Sequence, residues 1–79
     1  MPELKLYYMK PCPFCKKVIK FIEEENIEDV QLMDVFKTEN MDELIKVGGK
    51  EQVPCLFVDG KPMYESDDII NYLKENIAK

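Results

Sequence analysis

Lys10-Pro11-Cys12-Pro13-Phe14-Cys15-Lys16-Lys17 joins a short apolar run, Lys5-Leu6-Tyr7-Tyr8-Met9, to a stretch in which Cys15, Val18, Ile19 and Ile22 recur at helical spacing. The run reads as a buried strand stopped by Lys10-Pro11, and the stripe as a helix that starts at Pro13. Proline suits the first helical position because its missing N–H would have had no intrahelical partner. Cys12 then stands at the helix N-terminus, where backbone N–H groups and the macrodipole favour a thiolate. Cys15 follows one turn later, within reach of a sulfur bonded to Cys12. Two thiols so placed point to thiol-disulfide chemistry.

Outward from this segment the pattern continues as strands and helices in alternation. Val30-Gln31-Leu32-Met33-Asp34-Val35 reads as a second strand, and strand-helix-strand implies two parallel strands joined by a right-handed crossover. Asn40 with Glu43 resembles a capping box, and Leu44, Ile45 and Val47 before Gly48-Gly49 complete a short helix. Val53-Pro54-Cys55-Leu56-Phe57-Val58 and Lys61-Pro62-Met63-Tyr64 flank Asp59-Gly60, a preferred hairpin pair. Ser66 as N-cap, with Asp67 and Asp68 in the first turn, opens a last helix whose apolar face is Ile69, Ile70, Leu73 and Ile77. The expected order is βαβαββα, an α/β domain with a four-stranded mixed sheet and helices on both faces. Cys12 falls at the C-terminal end of the first strand, where open α/β sheets keep their ligand sites.

At 79 residues the chain reads as one domain, 1–79. Domains this short bury only about 60% of their unfolded surface, so the core is thin. The start, Met1-Pro2-Glu3-Leu4-Lys5, leads into no long apolar run, so neither a signal peptide nor a membrane span is expected, and the cytoplasm is the default compartment. Three cysteines, an odd number, argue against a secreted disulfide framework. The net charge of -5 argues against a nucleic-acid surface. With no histidine and Ser66 the only serine, hydrolase triads cannot be assembled in the usual way. Every basic residue is lysine, and Lys10, Lys16, Lys17 and Lys20 surround the cysteine pair with no acid among them. They form both a solvated helix face and an anion-attracting field beside the thiols. Tyr7, Tyr8, Phe21 and Phe57 read as core, and Cys55 as a small buried apolar residue.

Three motifs in order, Cys12-Pro13-Phe14-Cys15, Gln52-Val53-Pro54 and Glu65-Ser66-Asp67-Asp68-Ile69, resemble the glutaredoxins over nearly the whole chain. The segment from Val53 to Ser66 is also similar to the N-terminal domain of glutathione transferases and of two-domain bacterial glutaredoxins. The resemblance implies the thioredoxin fold and a glutathione-dependent thiol-disulfide oxidoreductase acting on disulfide-containing or glutathionylated proteins. Cys12 would be the nucleophile and Cys15 the resolving thiol. Pro54 would be a cis-proline facing the pair, and Val53 would offer its backbone to the cysteinyl part of glutathione. Ser66 and Asp67 would receive the γ-glutamyl group, Lys10 would face the glycyl carboxylate, and Phe14 would supply an aromatic wall where tyrosine is commoner. Glutathione enters as co-substrate, with no tightly bound cofactor or metal; the expected form is a monomer coupled to a reductase system. One departure stands out. Many glutaredoxins have Arg-Thr before Val-Pro, but here Glu51-Gln52 stand there, with Lys50 the nearest substitute for the arginine.

Two other readings remain open. One is a redoxin of the same fold without a glutathione site, reduced by a thioredoxin-reductase-like flavoenzyme. The other is a module holding zinc or a cluster shared between two chains through Cys12 and Cys15. A closed structural zinc site needs four ligands, which three cysteines without histidine do not supply within one chain.

Overall fold

The computed structural model describes residues 3–77. Met1 and Pro2, on which the reading of the chain start partly rests, and the last two positions of the 1–79 domain lie outside the described residues. The elements follow the expected order: β1 (Leu4–Tyr8), α1 (Pro13–Glu24), β2 (Val30–Asp34), α2 (Thr38–Gly48), β3 (Cys55–Val58), β4 (Lys61–Met63) and α3 (Ser66–Asn76). They build one sheet in the order β2-β1-β3-β4. β1 and β2 are parallel, with Leu6 opposite Leu32, while β3 is antiparallel to both β1 and β4. This mixed four-stranded sheet with three helices is the thioredoxin fold.

Side-chain alternation divides the core between the two faces of the sheet. Leu4, Leu6, Val30 and Leu56 point to one face and meet Val18 and Ile22 of α1 and Ile69 and Leu73 of α3. Tyr7, Cys55 and Phe57 point to the other, where Leu44 and Met41 of α2 cover them together with Val35. The Tyr7 and Phe57 rings lie 4.6 Å apart, tilted by 42°. Two helices therefore hold one face and a single helix the other. α2 is clamped at its far end by Tyr64, whose hydroxyl donates to the Gly48 carbonyl at 2.8 Å.

Three local readings are corrected. The α2 cap is Lys37, not Asn40, and it makes no side-chain capping bond. Asn40 lies inside the helix and its amide donates to the Asp34 carbonyl at 2.9 Å, so its hydrogen bond ties α2 to the end of β2. Ser66 likewise is the first helical residue and not the cap. Glu65 takes the cap position with φ 71°, away from the extended backbone that a capping side chain requires. Ile45 and Val47 complete the α2 sequence pattern but remain 44% and 46% exposed, because only the Met41–Leu44 side of the helix meets the sheet. The hairpin is as expected, with Asp59 at φ 50° and Gly60 at φ 83°, the two left-handed positions of a type I′ turn.

Leu56 is fully buried at the centre of the larger cluster, whereas Leu32, on the edge strand β2, is 47% exposed. Leu56→Ala should cost about 2–5 kcal/mol of unfolding free energy, and Leu32→Ala about 1 kcal/mol or less. Urea titration of the two variants checks this difference. Equal losses would contradict the assigned core.

Candidate functional site

β1 ends at Tyr8, the chain turns through Lys10 and Pro11, and the Cys12 N–H donates to the Met9 carbonyl at 3.0 Å. That turn leaves Cys12 in extended backbone, φ -76° and ψ 118°, as the N-cap of α1, with Pro13 opening the helix. Its sulfur accepts a hydrogen bond from the Cys15 N–H at 3.4 Å. A cysteine thus does what serine or aspartate does at other helix starts, offering an acceptor to a free N–H of the first turn. Cys12 is partly exposed and Cys15 is buried, so solvent meets the first sulfur and the helix shields the second.

The electrostatics differ accordingly. Burial pushes the Cys15 thiol up to about 12; the Met9 backbone works against that rise, and the neighbouring Cys12 adds to it. Cys55, on β3 next to Pro54, is raised by burial to about 11, although the Tyr64 hydroxyl, the Met63 backbone and the Lys50 charge favour its thiolate. Both buried sulfurs therefore stay protonated at neutral pH.

Beside the helix start, Phe14, Gln52, Val53, Pro54, Glu65, Ser66 and Asp67 line an open cleft of about 260 Å³. Pockets that enclose drug-sized ligands run from about 300 to 1,000 Å³, so a tripeptide would lie across this cleft and not inside it. The Val53-Pro54 peptide is cis. The cleft brings together five of the residues singled out from the sequence: Phe14, Val53, Pro54, Ser66 and Asp67. Cys12 caps the helix that carries the Phe14 wall. Lys10 is exposed in the turn before Cys12 and does not line the cleft. Lys50 also lies off the cleft; its ammonium sits 4.4 Å over the Tyr64 ring. Two lining residues without an assigned role in the sequence reading are Gln52 and Glu65. Each opens one of the quoted motifs, just before the residues that were given a role.

Asp67, in the first turn of α3, accepts from Lys17 of α1 at 2.7 Å. Both side chains are more than half exposed, so this pair contributes little to stability, but it fixes one carboxylate oxygen at the cleft edge. Among the described residues no three His, Cys, Asp or Glu side chains gather to hold a metal ion. Among them, too, no helix is long and apolar enough to cross a membrane.

With this geometry in place, comparison with known proteins is informative. A family model described as "Glutathione S-transferase, N-terminal domain" matches residues 6–79. The chain is similar to glutaredoxin 1 of Rickettsia prowazekii (strain Madrid E), 29% identical over 72 residues that span 89% of this chain and 76% of that protein. The solved structure of glutathione transferase Omega 3C from Trametes versicolor superposes with a TM-score of 0.78 at 26% identity, over 92% of this chain and 33% of that one. The chain thus spans about a third of that transferase. Wheat glutaredoxin matches with a TM-score of 0.67 at 24% identity, over 96% of this chain and 74% of that one, a likeness that shows the fold alone.

Two outcomes follow from the burial of the sulfurs. One equivalent of iodoacetamide on the native, reduced protein should label Cys12, with Cys15 and Cys55 modified only after denaturation; peptide mass mapping reads this directly. Early labelling of Cys15 would contradict the asymmetry. Unfolded cysteines ionise near 9.0, while in the fold Cys15 and Cys55 hold their protons to about 12 and about 11. Between those limits the unfolded chain binds fewer protons, so stability is full below the unfolded value and falls as pH rises through the folded values. The urea midpoint should drop between about pH 7 and about pH 10.5, and Cys55→Val should reduce that drop. An equal drop in both proteins would exclude the Cys55 contribution.

Proposed function

The chain belongs to the family of glutathione S-transferase N-terminal domains, and on that premise we propose that it is a glutathione-dependent thiol-disulfide oxidoreductase working through Cys12 and Cys15. The observation that carries this reading is the asymmetry of the pair. One sulfur is accessible at a helix N-terminus and accepts a backbone N–H at 3.4 Å, and the other is buried one turn behind it. The similarity to a protein named glutaredoxin 1 supports the same class of chemistry.

In the first step the Cys12 thiolate attacks a disulfide of a protein or of a glutathionylated cysteine. A Cys12–substrate S–S bond forms as the old S–S bond breaks, and the departing sulfur leaves as a thiolate that takes a proton from solvent. Cys15 must then lose its proton and attack the Cys12 sulfur, which releases the second substrate thiol and leaves a Cys12–Cys15 disulfide. The rise that Cys12 imposes on Cys15 through its charge and hydrogen bond ends once Cys12 bears the substrate sulfur. Burial, the larger cause, still holds Cys15 protonated, so glutathione competes well as the resolving thiol. Two glutathione molecules return the disulfide to two thiols and become oxidised glutathione.

The cleft supports a glutathione site in three ways. Val53, ahead of the cis peptide, can pair its backbone with the cysteinyl segment. The α3 N-terminus offers free N–H groups to the γ-glutamyl carboxylate. Asp67 keeps its second oxygen for the ammonium. A second reading, a redoxin served by a flavoenzyme, draws on one observation: no lysine lines the cleft, while Glu65 and Asp67 do. Carboxylates of the tripeptide would meet backbone N–H groups, the Gln52 amide and the Ser66 hydroxyl, and no lining ammonium.

A comparison of electron donors decides between the two. With a small disulfide as substrate, glutathione and its reductase should sustain turnover, and a thioredoxin reductase should not. Cys12→Ser should abolish activity, whereas Cys15→Ser should retain deglutathionylation and lose dithiol reduction of protein disulfides. Asp67→Ala should raise the apparent KM for glutathione-bearing substrates and leave a glutathione-free disulfide little changed. Turnover from the flavoenzyme alone, with no Asp67 effect, would overturn the glutathione assignment.

A further inference from the structure

The start of α3 is unusually acidic for a place that is to receive a carboxylate. Glu65, Asp67 and Asp68 put three acids in four positions, and all three are exposed. Asp67 and Asp68 occupy the first turn, where their charges already answer the positive end of the helix. A ligand that bears only an ammonium group would be drawn to such a start. The γ-glutamyl end of glutathione carries an ammonium and a carboxylate on one carbon, and three neighbouring carboxylates repel the second of these.

A cation is supplied from the neighbouring helix. Val18 and Ile22 of α1 share a buried cluster with Ile69 and Leu73 of α3, so the two helices lie on one face of the sheet. Lys17, the residue before Val18, spans the gap between them, and its Nζ donates to Asp67 Oδ1 at 2.7 Å. The ion pairs among the described residues are Lys5 with Glu43 and Lys17 with Asp67, which makes Lys17 the cation paired with the acidic start of α3. Lys17 does not line the cleft, but Asp67 does, and the ammonium is thereby held at its rim. The two side chains are 54% and 77% exposed, so a ligand lying across the cleft can reach both. An ammonium group has three N–H donors, and Asp67 accepts from one of those on Lys17.

We propose that Lys17 is a specificity-determining residue that forms, with Asp67, a two-charge clamp for the α-amino-acid end of the γ-glutamyl group. The ligand's ammonium meets the second Asp67 oxygen, and its α-carboxylate meets a remaining Lys17 N–H beside the backbone donors of α3. The inference rests on the glutathione reading above and adds a residue to it. Two opposed charges held 2.7 Å apart complement a ligand whose own opposed charges share one carbon. Lys17 thus makes an acidic helix start selective for a group that carries both charges over one that carries the ammonium alone. Because both partners are exposed, salt screens the selection.

Single-turnover kinetics test this without an electron donor. The pre-reduced full chain is mixed with a peptide whose one cysteine is disulfide-bonded to glutathione, to glutathione with the γ-glutamyl α-carboxyl amidated, or to cysteinylglycine, and release of the peptide thiol is followed. At low ionic strength the parent should react with the glutathione adduct about fivefold faster than with the amidated one, and added salt should shrink that ratio. Lys17→Met should slow the glutathione adduct about fivefold and leave the amidated and cysteinylglycine adducts within about twofold, which erases the preference. Lys17→Arg, which keeps the charge, should restore it to within about twofold of the parent. Equal slowing of the glutathione and amidated adducts by Lys17→Met would reduce Lys17 to a support for Asp67 and overturn the clamp, as would no slowing of either. A parent that reacts with the cysteinylglycine adduct as fast as with the glutathione adduct would instead overturn the glutathione reading, and this inference with it.

Discussion

The hydrogen bond from the Cys15 N–H to the Cys12 sulfur is the contact on which the site depends. It caps α1, and α1 in turn lays Val18 and Ile22 over the centre of the sheet. The bond places the reactive sulfur at the N-terminal end of the helix and in partial contact with solvent, so the cap of the helix and the accessible sulfur are one atom. Serine in its place would cap the helix equally well and leave no nucleophilic sulfur. The turn that delivers Cys12 is itself held by the Met9 carbonyl, which connects the geometry to the buried strand β1.

From that junction the sheet order explains how the surroundings are assembled. β1 is central, flanked by β2 and β3, so whatever follows β2 or precedes β3 must border the Cys12 turn. Val53 and Pro54 precede β3 and form one border; Phe36 and Lys37 follow β2 and form the other. α3 adds Ser66 and Asp67 because its Ile69 and Leu73 pack in the same cluster as α1. The concave border lined by Glu65 and Asp67 is thus a consequence of topology acting on a few side chains. Few residues are spared for other work in a chain this short.

Much of this was legible from periodicity. The α1 stripe, the apolar β1 and β3 runs and the Asp59-Gly60 turn all follow from rules local to the chain, and the structure follows them. Helix starts were less legible. Ser66 and Asn40 have the side chains of caps, but a cap is defined by the backbone around it. Glu65 at φ 71° and the anchoring of Asn40 to the end of β2 are tertiary outcomes. The lysines show the same limit. Lys10 and Lys50 stand near the motifs in sequence, yet Lys50 stacks on Tyr64 and Lys10 sits in the turn, so neither reaches the cleft. Exposure of Leu32 was likewise hidden, because an apolar residue on an edge strand reads as core until the covering helices are known.

The claim at the centre of this account is that Cys12 alone meets a substrate disulfide while Cys15 waits behind it. The most direct measurement takes the Cys15→Ser chain, reduced, incubates it with oxidised glutathione, and determines the intact mass and the modified peptide. The account predicts a single glutathionyl group, attached to Cys12 and released by fresh glutathione. Absence of an adduct, or an adduct on Cys55, would contradict it.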